Sequence, residues 1–72
     1  MQPTLGRIVL HRGIESNVAT VHPAVITRVW SDECVNLTVF PDNDNPTPIT
    51  SQNLVDPDGT DQGWFWPIRE GA

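Results

Sequence analysis

Apolar and polar side chains alternate over residues 35–40, where Asn36 and Thr38 separate Val35, Leu37 and Val39. A period of two matches the pleat of a β-strand, whose successive side chains point to opposite faces. Residues 24–30, opened by Pro23, read as a second strand of the same kind, because a proline without an N–H suits a strand start. Ser31 and Asp32 mark a turn at 31–34, where their side chains can bond nearby backbone. Residues 5–12 form the first predicted strand, followed by a polar loop over 13–22. A connection of about ten residues is long for a small domain, and such loops are often functional. Residues 41–46 are a loop by their proline, aspartate and asparagine content, and 49–55 are a weaker strand. Residues 56–61 are another turn cluster, and 63–66 are the last strand. Short strands at this even spacing predict one all-β domain over 1–72, five antiparallel strands in a small barrel or sandwich.

The central hairpin implies a register. A turn at 31–34 sets Trp30 opposite Val35, Arg28 opposite Leu37, Thr27 opposite Thr38 and Ile26 opposite Val39. One face then carries Ala24, Ile26, Trp30, Val35, Leu37 and Val39, a core by composition, with Arg28 as its misfit. The other carries Val25, Thr27, Val29, Asn36, Thr38 and Phe40. A bulge near Arg28 would turn it outward and Val29 inward. A place at the barrel rim, with a packed stem and a solvated head, is a second explanation. A ligand-facing arginine is a third.

Composition supports the strands. Eight valines, five isoleucines and seven threonines stand against three alanines and four leucines. β-Branched side chains suit a pleated surface better than a helix. Seven prolines and five glycines interrupt the chain, which excludes a helical bundle or coiled coil. At 72 residues the core is small, burying roughly 60% of the unfolded surface, so self-association is expected.

Charge narrows the partners. Four arginines, no lysine and nine carboxylates give a net charge of −5. A polymeric nucleic acid needs a basic face that neutralises many phosphates, and an anionic membrane needs a basic patch. Neither is expected here, although one or two guanidinium groups are enough to hold a small anion. The first residues lack a basic stretch leading into an apolar run, and no apolar run exceeds three residues. Cys34 is the sole cysteine, so no internal disulfide forms. Without an evident basic neighbour it reads as a small packed residue. A cytoplasmic protein is expected.

Catalytic and metal signatures are weak. His11 and His22 are not spaced as paired zinc ligands. The aspartates at 42 and 44, and at 56, 58 and 61, lack the twelve-residue calcium frame and read as solvated turn residues. Ser31, His22 and Asp32 sketch a triad, but no elbow motif fixes the nucleophile. The glycines are dispersed, so no phosphate loop forms. No enzyme, cofactor or metal is expected. The tryptophans carry more information. On a strand Trp64 and Trp66 share one side and can fill a small core. Together with Trp30 they exceed what a tiny barrel buries, which places at least one at a groove or subunit interface.

The stretch from Pro23 to Asp42, with Arg28-Val29-Trp30-Ser31-Asp32 and Val35-Asn36-Leu37-Thr38-Val39-Phe40-Pro41-Asp42 at its centre, resembles a family of very small phage and prophage proteins. The ending Gly63-Trp64-Phe65-Trp66-Pro67 is similar to that family's close, although Phe65 stands where members often carry histidine. The resemblance implies an SH3-like β-barrel and a place in the host bacterial cytoplasm. Two functions from different classes follow as expectations. One is a counter-defence sponge that sequesters a cyclic nucleotide immune signal. A base would stack on Trp30, Trp64 or Trp66, Arg28 or Arg12 would hold phosphate, and Asn36 or Thr38 would read edges. The strand carrying Arg7 and Arg12, beside His11, is the fallback phosphate site. The other is a protein-interaction module that docks a host protein or virion component on an aromatic groove.

Overall fold

The alternating segments become five strands in a computed structural model that describes residues 2–67. They are β1 (Ile8–Glu15), β2 (Val18–Val29), β3 (Cys34–Val39), β4 (Thr47–Asn53) and β5 (Gly63–Phe65). All pair antiparallel in one sheet of order β4-β3-β2-β1-β5. No helix occurs among the described residues. The sheet curls until its two edges meet at one end. There Leu54 bridges to Trp64, and the Val55 N–H donates to the Trp64 carbonyl at 2.9 Å. The expected small five-stranded all-β fold is therefore present, as a barrel-like half-closed sheet.

The segment 13–22 is not a loop. β1 and β2 run through it as a hairpin closed by Ser16 and Asn17, with Glu15 opposite Val18. Both turn residues have positive φ, 52° and 64°, the geometry of a two-residue turn whose twist matches its strands. Pro23 does not start β2 but lies inside it, opposite Leu10. Its carbonyl accepts from the Phe40 N–H at 2.9 Å, on the β3 side. In a strand one residue's N–H and C=O point the same way. The missing donor of Pro23 therefore falls where β3 has just ended, and it breaks no ladder bond to β1.

The expected β2–β3 register is also corrected. Ala24 faces Val39, Ile26 faces Leu37, Arg28 faces Asn36 and Val29 faces Val35, with a bulge between Ile26 and Arg28. The turn is one source of the shift: the Trp30 N–H donates to the Cys34 carbonyl at 2.9 Å, so Cys34, not Val35, is opposite Trp30. The extra residue at Thr27 is the other, since a bulge reverses the inside–outside parity beyond it. Arg28 is turned outward, as the bulge explanation requires. Val29 swings toward Val35 but stays 38% exposed, and Trp30 leaves the core face.

Val9, Ala24, Ile26, Val35, Leu37, Val39 and Trp64 form the buried core, with Ile49 and Trp66 packed against it. Trp64 is the largest fully buried side chain. Its Nε1–H donates to the Glu33 carbonyl at 2.9 Å, so the one polar atom of the ring is satisfied.

Candidate functional site

Four of the residues singled out by sequence stand together on the outer face of β2 and β3. Beyond the Thr27 bulge, Arg28 and Trp30 are two apart and share that face with Asn36 and Thr38. The Arg28 guanidinium carbon lies 4.0 Å from the Trp30 ring centroid. The Trp30 Nε1–H donates to Asn36 Oδ1 at 2.8 Å. The same oxygen accepts from the Ser51 backbone N–H at 2.9 Å, where β4 has its own register shift opposite Asn36. Asn36 thus ties the tryptophan to an irregularity in β4. Trp30 is nevertheless 52% exposed. The guanidinium contact and the hydrogen bond both favour this one orientation of the ring.

The remaining candidates lie elsewhere. Arg12 is 4% exposed and its guanidinium is committed to backbone. Its Nη1 donates to the carbonyls of Asp56 and Asp61 at 3.2 and 3.1 Å, and its Nη2 to that of Pro57 at 2.7 Å. The same group lies 4.8 Å from the Phe65 centroid. It pins the β4–β5 connection against β1. Trp66 is half-buried and meets Trp64 edge to face at 5.2 Å, with Arg7 5.4 Å from a Trp66 ring. These two tryptophans belong to the core and its rim.

His11 faces inward, 3% exposed, and its Nε2 is 3.0 Å from Gln52 Oε1. It forms part of a cleft of about 200 Å³ at the open end of the curled sheet. Gly13, Thr20, His22, Ile49 and Gln62 also line it, and among the described residues no carboxylate or guanidinium does. The buried Thr20 Oγ1 has no hydrogen-bond partner. The sequence places Thr20 and His22 in a loop, so Thr20 goes unnoticed and His22 is weighed only as a zinc ligand or triad member, not as a neighbour of His11 across β1 and β2. The period-two series Thr20, His22, Ala24, Ile26 was the available signal.

The other sketched chemistry finds local uses. Ser31 Oγ accepts from the Glu33 and Cys34 N–H groups at 3.3 and 3.1 Å, capping the β2–β3 turn. Cys34 is half-buried. Among the described residues no group of three or more His, Cys, Asp or Glu side chains is placed to hold a metal. No helix there is long and apolar enough to cross a membrane. Neither a protein-family model, nor a curated protein, nor a solved structure matches the chain.

Proposed function

We propose that this chain is a non-catalytic binding module that docks a partner protein on the outer face of β2 and β3, with Trp30 as its anchor. The observation that carries this reading is a tryptophan half exposed yet held by Arg28 and Asn36. Interfaces draw most of their energy from a few aromatic and arginine anchors. An anchor already in one rotamer loses little entropy on binding. The surroundings suit a flat partner surface, since Trp30, Arg28 and Asn36 stand on the outside of a curled sheet. In an infected bacterium, the setting the family resemblance implies, the partner is a host protein or a virion component.

A second reading keeps the same residues. Trp30 offers a ring for a base and Arg28 a guanidinium for a phosphate, 4.0 Å apart. That pairing favours sequestration of a cyclic nucleotide. The site's convexity weighs against it, because small ligands usually bind in clefts that enclose most of their surface.

Trp30→Ala separates the readings. The first expects the wild-type chain to retain a host protein from bacterial lysate, and Trp30→Ala to lose it with an unchanged melting curve. Equal capture by both forms overturns it. The second expects a cyclic nucleotide to raise the melting temperature of the wild type alone, since a ligand of the native state stabilises by mass action. No shift with any cyclic mono- or dinucleotide removes it.

A further inference from the structure

The inner face of β1 and β2 changes character along its length. Val9 and Ala24 face each other within the core. The next two inner pairs are His11 with His22 and Gly13 with Thr20. All four line the cleft at the open end of the sheet, where Val39 of β3 and Ile49 of β4 supply an apolar wall. Small ligands usually sit in clefts of this kind, against apolar walls with a few convergent polar groups.

The neighbours of His11 fix which of its ring nitrogens accepts. The Gln52 Nε2 group donates to the Thr50 carbonyl at 3.1 Å, so it is Gln52 Oε1 that stands 3.0 Å from His11 Nε2. An amide oxygen only accepts, so Nε2 carries the proton and Nδ1 of the neutral ring is an acceptor.

Gly13 lies beside that acceptor, and the fold itself does not call for a glycine there. Its φ is not positive. A Cβ on it would lie 3.7 Å from His11 Cε1 and 3.9 Å from His11 Nδ1, ordinary contacts, and within 4 Å of no other non-adjacent residue. Glycine weakens a strand interior and often marks a place where a ligand comes close. Here the missing side chain leaves the Nδ1 edge of His11 uncovered. Thr20, directly across from Gly13, adds a hydroxyl that has no hydrogen-bond partner, and Gln62 adds a carboxamide at the cleft.

We infer that this cleft binds one small uncharged ring of the pyrimidine-base type. A ring N–H of the ligand donates to His11 Nδ1 in the space above Gly13. The adjacent carbonyl accepts from the Gln62 amide, or from the Thr20 hydroxyl after a χ1 rotation. Size sets the class: a dry cavity of roughly 150 Å³ holds a benzene ring, so about 200 Å³ admits one ring with its carbonyls but not a whole nucleotide. Charge agrees, since among the described residues no guanidinium lines the cleft, and a phosphate entering it would lose water without gaining a cation. The inference rests on neither reading of Trp30, which stands on the outer face of the sheet.

The test is a titration of the isotope-labelled full chain with uracil, followed by amide NMR. The signals of Gly13, Thr20 and His22 should shift and saturate by about 10 mM, tenfold above a Kd of about 1 mM. Dimethyluracil, methylated at both ring nitrogens, has no N–H to donate and should leave them in place. Uridine monophosphate should bind more weakly than uracil. Gly13→Ala sets a methyl group against Nδ1 and should weaken uracil binding at least about tenfold. Its melting temperature should stay level or rise, because alanine has less unfolded-state entropy to lose than glycine. Four results would each overturn the inference: uracil leaving these signals unmoved, dimethyluracil binding as well as uracil, uridine monophosphate binding more tightly, or Gly13→Ala binding like the wild type. The two ligand comparisons use the wild-type chain alone, so they decide the matter even if the alanine variant folds poorly.

Discussion

Each described arginine lies over an aromatic ring: Arg7 over Trp66, Arg12 over Phe65 and Arg28 over Trp30. Burial separates their roles. Arg28 is exposed, so its contact with Trp30 shapes a surface. Arg12 is buried, so its three carbonyl bonds hold the fold together. Hydrogen bonds to charged groups contribute about 1.5–3 kcal/mol each, but their sum is not additive and removal also leaves carbonyls unpaired. Arg12→Ala should cost at least about 1.5–3 kcal/mol, the range for one hydrogen bond to a charged group. Urea denaturation checks it, and a loss under about 1 kcal/mol would contradict a structural role. Arg12→Lys should recover only part of that loss, because an ammonium lacks the planar fork that spans three acceptors.

Among the elements, β5 is the shortest and depends on one glycine. A Cβ on Gly63 would overlap the Asn53 carbonyl oxygen and lie 2.6 Å from Val55 Cγ1. The first of these is backbone, so β5 itself has to move. Gly63→Ala should destabilise by about 1–3 kcal/mol, the usual range for overpacking. The displacement should also loosen the bond from the Val55 N–H to the Trp64 carbonyl that closes the sheet. Amide exchange at Val55 should then accelerate more than exchange in β3. Equal acceleration everywhere would mean global destabilisation without displacement of β5. The β1–β2 hairpin is a contrast, since its Ser16–Asn17 turn adopts positive φ without any glycine. Asparagine tolerates that region through local hydrogen bonding, whereas serine does so less readily.

The whole molecule rests on a small core. Leu37 lies near its centre, between Ile26 on β2 and Ile49 on β4. Leu37→Ala should cost about 2–5 kcal/mol, the range for a leucine removed from a packed interior. A domain has a total stability of about 5–15 kcal/mol, so this variant should melt well below the wild type. A loss under about half a kcal/mol would contradict its burial.

Local side-chain pattern by itself determined that this protein is all-β with five strands, and which of β3's side chains enter the core. Val35, Leu37 and Val39 are buried as their alternation requires, and Ala24 and Ile26 lie opposite them. Only the tertiary structure decided register and partnership. The misfit of Arg28 on an apolar face signals a bulge only as one of three explanations, and the structure sets it at Thr27, which moves Trp30 from the core face to the surface. The β1–β2 hairpin lacks the Asn-Gly or Asp-Gly signal, so two strand ends read as one polar loop. Arg12 and Arg28 are the same residue type on neighbouring strands. One is locked inside because carbonyls from 44 to 49 residues away fold over it. The other stays outside because the extra residue at Thr27, in its own strand, turns its face outward. Pattern along a chain records which side chains avoid water, whereas the role of a polar side chain depends on acceptors that arrive from distant parts of the chain.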